Sequence, residues 1–298
     1  MKKIILAIIL IAVFCQLQAE VDGSKGYQML RIMIDPVTAA QGGNGVSNSQ
    51  SSFTFLENAA APLLQNGKVL SVSQNVWLFG TSLSSIGYRN SKGKKTFGYG
   101  IRYLDYGKID GRDNIGEKVG EYHPLDMAIT FNFGYRILAS HYLGINMNGL
   151  YEKIDDASSL GLTGDLGYVY LTPIKELKLL VSIKNMGVSS NMENENVEMP
   201  LTMELGLSKD FDIASNVLSA GAKLVKDVDN DKLKGSLGLS TRLHSIFFLR
   251  AGYKFNYDIE GLGCGFGIKY KGFMIDYAYN TISEDLKDVH LFGLSYHF

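Results

Sequence analysis

Apolar and polar residues alternate with a period of two along most of this chain. Because successive side chains of a strand point to opposite faces, the alternation predicts strands with one apolar and one polar face. The segment 125–136 is typical, with mostly apolar residues at odd positions and Asp126, Thr130 and Asn132 among the even ones. The pattern predicts fourteen strands, at about residues 68–75, 81–89, 95–106, 125–137, 142–154, 160–170, 177–186, 201–211, 216–226, 232–242, 247–257, 262–270, 273–279 and 289–298.

The chain ends in a strand that carries aromatic side chains on one face, which holds His290, Phe292, Leu294, Tyr296 and Phe298. A row of exposed aromatics beside unpaired backbone groups favours aggregation in water. A barrel closed in lipid instead pairs its last strand with its first and turns its aromatics towards acyl chains. The sequence therefore predicts an all-β, transmembrane, antiparallel β-barrel of about fourteen strands. Phe292, Tyr296 and Phe298 are the predicted C-terminal signal for the barrel-assembly machinery.

Charged residues within the predicted strands indicate which face is turned inward. An arginine or lysine at mid-membrane on the lipid side of a barrel costs roughly 2–4 kcal/mol. We therefore expect Arg136, Arg250 and Lys254 to face the lumen.

The connections between predicted strands differ in length, which bears on the orientation of the barrel. Residues 271–272, 258–259 and 139–141 are tight connections, typical of the periplasmic side, and are predicted to lie there. Residues 105–124, 187–200 and 280–288 are longer and polar, and are predicted to be extracellular loops.

The first part of the chain has a different pattern. Residues 1–19 combine Lys2 and Lys3 with an apolar run and a small residue at position 19, which predicts a secretory signal peptide cleaved near Ala19. This predicts export to the outer membrane of a diderm bacterium. Residues 20–67 do not alternate, and we interpret them as a plug folded into a barrel formed by residues 68–298.

The predicted plug has a few recognisable local features. Asp35-Pro36 is expected to break an apolar run, residues 41–45 are expected to form a flexible turn, and residues 53–64 are expected to hold one short helix that Pro62 ends or kinks. The residues that we expect to shape the plug are Leu30, Arg31, Asp35, Gly42, Gly43 and Asn58.

Composition narrows the class of protein further. The 33 glycines and 32 Tyr and Phe residues suit a barrel wall, where close strand contacts need small residues and the membrane interfaces take aromatic rings. The net charge of −1 gives no basic footprint of the kind that nucleic-acid binders show. Cys264 would be the single cysteine after removal of the signal, so no internal disulfide is expected.

The residue patterns of catalytic sites are missing from the sequence. Its five histidines are scattered singly without metal-ligand spacing, and no serine stands in a G-x-S-x-G context. We therefore expect a protein that is not an enzyme and has no metal ion or cofactor.

Several short blocks resemble the PorV/PorQ family of outer-membrane proteins. Residues 29–47 read M-L-R-I-M-I-D-P-V-T-A-A-Q-G-G-N-G-V-S, residues 58–63 read N-A-A-A-P-L, and residues 184–187 and 276–279 read K-N-M-G and D-Y-A-Y. The resemblance covers nearly the whole mature chain and implies a FadL-like barrel of fourteen strands with an N-terminal plug. The chain departs from the family at residues 37–38, where the family has an arginine, and at Ala59 and Ala61, which replace a proline and a glycine.

Three functions are compatible with these features. In the first, the barrel is an outer-membrane partner of a secretion system and binds or anchors surface proteins, as the PorV/PorQ resemblance implies. In the second, it takes up hydrophobic small molecules such as long-chain fatty acids. In the third, it is a structural outer-membrane protein without any transport function. Under each of the three, outer-membrane lipid and the barrel-assembly machinery are expected partners. The predicted plug slightly favours binding over open diffusion, because it would block the lumen.

Overall fold

The structure is a computed structural model that describes residues 25–195, 197–213, 216–228, 232–283 and 286–298. The predicted signal peptide and its cleavage point near Ala19 lie outside these residues. The described residues form sixteen strands: β1 (Gly67–Val76), β2 (Ser82–Lys92), β3 (Lys95–Asp105), β4 (Ile109–Arg112), β5 (Lys118–Tyr122), β6 (Leu125–Leu138), β7 (His141–Ile154), β8 (Ala157–Leu171), β9 (Leu177–Ser189), β10 (Thr202–Ile213), β11 (Asn216–Asp227), β12 (Leu233–Leu243), β13 (Phe247–Phe255), β14 (Glu260–Tyr270), β15 (Phe273–Ile282) and β16 (Val289–His297).

Fourteen of these strands close into one antiparallel barrel, which confirms the predicted fold. The first strand, β1, pairs with the last, β16, in a continuous register from Val69 opposite His297 to Val76 opposite His290. Closure leaves the barrel without an open edge, as a wall surrounded by lipid requires. Each strand predicted from the alternation is present.

The predicted division into two faces is also observed. Along β6, Phe131 and Phe133 are exposed on the outside, while Thr130 and Asn132 between them are buried. Inward polar side chains hydrogen-bond to one another across strands: Thr130 donates to Asn148 at 2.7 Å, and Asn132 donates to Asn146 at 2.8 Å. The wall is thus apolar outside and polar inside, the reverse of a soluble β-sandwich.

The two ends of the barrel differ in the length of their connections. One end, the turn end, has the short connections 93–94, 139–140 and 271–272 and also the start of β1 and the end of β16. The opposite end, the loop end, carries residues 106–124 and 190–201. The prediction that residues 258–259 lie with the periplasmic turns is wrong, because this connection follows β13 and falls at the loop end. The length of a connection does not determine at which end of the barrel it lies. The number of barrel strands that precede it does.

The long connection between β3 and β6 contains a feature that was not predicted. Its strands β4 and β5 form a separate hairpin outside the barrel. Most of its side chains, including Ile109 and Val119, are exposed, so apolar and polar residues had no reason to alternate.

Residues 25–66 lie inside the ring of strands as a series of short turns and helices. These are a 3₁₀ turn (Gln28–Arg31), helix α1 (Pro36–Ala40), a 3₁₀ turn (Gly45–Ser47), helix α2 (Thr54–Glu57) and a 3₁₀ turn (Ala61–Leu64); a further 3₁₀ turn (Leu78–Gly80) follows β1. No helix in the described part of the chain is long and apolar enough to cross a membrane.

One local expectation for this N-terminal segment is wrong, that of a single helix over residues 53–64. Asp35-Pro36 begins helix α1, because proline suits the first helical position and the Asp35 carboxylate accepts a hydrogen bond from the Val37 amide. The single helix expected over residues 53–64 is interrupted at Asn58, whose backbone is extended (φ −148°, ψ 121°). Pro62 therefore stands near the start of the second turn and does not end the first.

Candidate functional site

The N-terminal segment (residues 25–66) crosses the lumen from the loop end to the turn end. The Gly26 amide donates to the Glu198 carbonyl oxygen beside the loop end. Near the turn end, the Arg89 guanidinium donates to the Gln65 carbonyl oxygen at 3.2 Å and to its side-chain oxygen at 3.1 Å. Between these points, Ser47 and Ser208 join the segment to β10 with their hydroxyl oxygens 2.5 Å apart. The segment is thus anchored to the wall at several levels.

Glycines in the wall allow the segment to pack directly against the strands. A Cβ atom on Gly144 would lie 2.0 Å from the Ala59 carbonyl oxygen, and one on Gly252 would lie 2.2 Å from the Gln41 carbonyl carbon. Such separations are far inside van der Waals contact. Only glycine therefore permits this backbone-to-backbone approach on β7 and β13.

The inner wall has an apolar patch near its loop end. Leu83, Leu104, Ala128 and Leu150 project inward from β2, β3, β6 and β7, and we call these four residues the inner patch. Leu83 pairs with Leu104 and Ala128 with Leu150, so the patch is continuous across the neighbouring strands. It is covered by side chains of the N-terminal segment and of the 190–201 loop, namely Tyr27, Met29, Ile34, Phe53, Val197 and Met199.

A charged cavity lies in the lumen beside the N-terminal segment. It has a volume of ≈ 130 Å³, and we call it the charged chamber. Its apolar lining comes largely from the segment, including Leu30, Ile32 and Leu56. Its charged lining comes mostly from wall strands and comprises Arg31, Glu57, Arg102, Lys184, Glu204, Lys223, Asp227, Lys234, Lys254 and Glu260.

Ion pairs connect most of the charged residues in the chamber. Glu204 lies between two lysines, 3.3 Å from Lys184 and 3.7 Å from Lys223. Asp227 similarly lies between Arg31, at 3.6 Å, and Lys234, at 2.6 Å. The shared carboxylates compensate pairs of positive charges in a water-poor interior, where isolated charges are costly.

The residues predicted to shape a plug take different positions in the N-terminal segment. Leu30 and Arg31 line the charged chamber, and Asn58 joins the segment to β9 by donating to the Val181 carbonyl oxygen at 2.9 Å. Gly42 and Gly43 have φ of +61° and +94°, a conformation that glycine adopts without strain. Their turn follows α1 and brings Gly42 against the backbone of β12 and β13.

Asp35 is fully buried at the start of α1. Burial raises the pKa of its carboxyl group, while hydrogen bonds from the Ser49 and Thr38 hydroxyls lower it. The Thr38 hydroxyl donates to the carboxylate at 2.9 Å. Asp35 therefore caps helix α1 at its N-terminus.

The three charges expected to face the lumen occupy two kinds of site. Arg250 and Lys254 are buried inside the barrel, with exposures of 6% and 5%. Arg250 pairs with Asp276 at 2.8 Å, and Lys254 pairs with Glu260. Arg136 lies at the turn end, where it donates to the Ala139 carbonyl oxygen at 2.7 Å and is partly exposed.

The predicted C-terminal signal residues lie on the outside of β16 and just beyond it. Phe292, Tyr296 and Phe298 are exposed on the apolar face. Tyr296 packs edge-on against Phe298 with ring centroids 4.9 Å apart. This outward position is the one expected for side chains that contact lipid.

The inner patch and Arg102 were not predicted from the sequence. The alternation of β3 places Arg102 and Leu104 on the same face as the close-packed Gly98 and Gly100, and this parity was an available signal. The contact between β3 and the charged chamber could not be predicted, because it depends on how the N-terminal segment crosses the lumen.

The fold is shared with several solved outer-membrane proteins. The chain is similar to the CymD monoaromatic hydrocarbon channel, with a TM-score of 0.63 and 14% identity over 89% of this chain and 97% of that one. It is also similar to the toluene transporter TodX of Pseudomonas putida, with a TM-score of 0.62 and 13% identity over 94% and 99% of the two chains. A Pseudomonas aeruginosa FadL homologue has a TM-score of 0.53 and 11% identity over 89% and 98%.

These likenesses establish the fold of the chain. No protein-family model matches the chain, and no curated protein matches its sequence. The similar structures do not confirm the PorV/PorQ resemblance.

Proposed function

We propose that this barrel takes up hydrophobic small molecules across the outer membrane. The observation that carries the proposal is the inner patch, where apolar side chains of four neighbouring wall strands project into the lumen near the loop end. Leu83, Leu104, Ala128 and Leu150 provide a surface on which an apolar molecule arriving from the loop end could replace the side chains of the N-terminal segment. The likeness to CymD and TodX supports this function.

In this proposal the N-terminal segment acts as a plug. Its hydrogen bonds and backbone contacts reach the wall on several sides, so a ligand that binds the inner patch needs the segment to shift before it can cross. This distinguishes the proposed channel from an open diffusion pore. The predicted signal peptide and the apolar outer wall support an outer-membrane location for the barrel.

Uptake is favoured here over the secretion function. The similar solved structures named above include hydrocarbon channels and a toluene transporter, and the inner patch is the kind of surface that such molecules require. The secretion hypothesis depends on the short sequence blocks alone. It predicts that deleting the protein leaves surface proteins in the periplasm, whereas uptake predicts no such defect.

The proposal can be tested with an apolar fluorescent probe in cells that lack their own hydrocarbon channels. Expression of the protein is expected to increase the rate of probe uptake, and an unchanged rate would show the proposal to be wrong. Binding by the purified protein then locates the site. Leu104→Asn should weaken probe binding, whereas Leu180→Asn, a buried leucine at the turn end, should leave it unchanged.

A further inference from the structure

Arg102 lacks a direct partner among the described residues. It is 7% exposed and lines the charged chamber, yet it makes no hydrogen bond or ion pair in the described part of the chain. Glu57 and Asp165 attract it electrostatically, but neither comes within ion-pair distance. The Nε atom of Arg102 is buried without an acceptor, and such a donor is costly because it has lost water without gaining a hydrogen bond.

The other basic residues of the chamber each have a carboxylate. Lys184 and Lys223 share Glu204, Arg31 and Lys234 share Asp227, and Lys254 pairs with Glu260. The lining of the chamber contains six basic side chains and four carboxylates, so basic side chains outnumber acidic ones there. The excess of basic side chains and the unpaired guanidinium meet in one cavity.

We propose that the charged chamber binds a compact oxyanion of the carboxylate or phosphate class through Arg102. The planar guanidinium presents two parallel N–H donors that match the spacing of carboxylate or phosphate oxygens. Lys184 and Lys223 lie in the same cavity, where Glu204 pairs with both lysines and Glu57 lies 3.8 Å from Lys184. The positive charge that faces the cavity without a carboxylate is therefore that of Arg102. The site is distinct from the inner patch and does not depend on the proposed uptake of apolar molecules.

The size of the chamber limits what it can hold. Pockets for drug-sized ligands occupy roughly 300–1,000 Å³, whereas this cavity measures ≈ 130 Å³. It therefore has room for an anionic group and not for a large molecule. That group is either a free anion or the anionic end of an amphiphile. The apolar part of an amphiphile would lie against Leu30, Ile32 and Leu56, because these side chains line the chamber and also pack against the inner-patch cluster.

Thermal unfolding of the full chain in an uncharged maltoside detergent tests the proposal, with ionic strength held constant by sodium chloride. Inorganic phosphate and dodecyl phosphate are added separately, because a ligand that binds the folded state raises the unfolding midpoint. A rise with inorganic phosphate identifies a free anion as sufficient, and a rise with dodecyl phosphate alone identifies an amphiphile. No rise with either probe would overturn the proposal.

Three variants separate anion binding from general stability. Arg102→Gln should reduce the affinity of the protein for the effective probe at least tenfold. Without probe, the thermal unfolding midpoint of this variant should be equal to or above that of the wild type, because an unpaired charge has been removed. Arg102→Lys should retain part of the affinity. Arg112→Gln removes the same charge from the exposed β4–β5 hairpin and should leave affinity unchanged. Equal affinity in wild type and Arg102→Gln would show that Arg102 does not hold the anion.

Discussion

At the scale of single residues, the contact between wall and N-terminal segment depends on glycines. In Gly144→Ala the new Cβ would lie 2.0 Å from the Ala59 carbonyl oxygen, so the strand or the segment must move. We expect the free energy of unfolding to fall by about 1–3 kcal/mol, the usual cost of overpacking. Urea unfolding in detergent measures this change, and proteolysis near residues 58–66 shows whether the segment has been displaced.

The matched control for this substitution lies on the same strand. Gly149 faces outward on β7, and a Cβ atom there meets nothing within 4 Å. Gly149→Ala should change stability by no more than about 0.5 kcal/mol, as surface substitutions usually do. Equal losses in the two variants would mean that the close approach at Gly144 is not what the substitution disturbs.

Residue positions were predictable from the sequence where they followed from strand parity. Buried Arg250 and exposed Phe292 lie on the faces that alternation assigned to them. Partners were not predictable, because residues such as Arg31 and Asp227 are far apart in sequence and meet only after the segment enters the lumen. For the same reason Arg102 could not be recognised from the sequence. Its position on β3 is ordinary, and its lack of a direct partner is visible only in the folded barrel.

At the scale of elements, the proposed function requires the N-terminal segment to move relative to the wall. Ser47 on the segment and Ser208 on β10 have hydroxyl oxygens 2.5 Å apart, so Ser47→Cys with Ser208→Cys should form a disulfide with little rearrangement. Oxidation should lower uptake of the apolar probe to the level of cells without the protein, and a reductant should restore it. Cys264→Ala is included in every variant to remove the native thiol.

A disulfide within the wall provides the control for this experiment. Ser71 on β1 and Ser295 on β16 are directly paired, with hydroxyl oxygens 2.7 Å apart. Ser71→Cys with Ser295→Cys should therefore link two strands without holding the segment, and uptake should persist after oxidation. Unchanged uptake in the oxidised Ser47–Ser208 pair would show that the segment need not leave β10.

The elements were predictable to different degrees for one physical reason. Strands of the wall separate lipid from the lumen, and this difference imposes a strict apolar and polar alternation that the sequence displays. Both faces of the β4–β5 hairpin are largely exposed, so its sequence shows no such alternation. Inside the barrel, the helix breaks at Asn58 because the side-chain amide of this residue donates to the Val181 carbonyl oxygen on β9. This tertiary contact overrides the local helix propensity.

At the scale of the whole molecule, the barrel inverts the arrangement of a soluble domain. Its outer surface is apolar, and its interior contains hydrogen-bonded polar residues, ion pairs and the N-terminal segment. Polar groups such as Asn132 and Asn146 stabilise this interior by bonding to each other and to the segment: Asn132 donates to the Ala59 carbonyl oxygen and Asn146 to that of Phe55. The segment is consequently part of the folded interior, and its displacement must break these bonds.

The outer surface makes the lipid environment of the barrel testable. Met147 at the middle of β7 and Leu138 at the turn end of β6 are similarly exposed, at 59% and 61%. If lipid surrounds the wall, Met147→Arg should lower the free energy of unfolding from phosphatidylcholine vesicles by about 2–4 kcal/mol, and Leu138→Arg by about 0–1 kcal/mol. The difference arises because an arginine at the strand end reaches water, whereas one at the centre remains in hydrocarbon. Urea titration of both variants measures it, and equal costs would mean that the apolar face of this barrel does not lie against acyl chains.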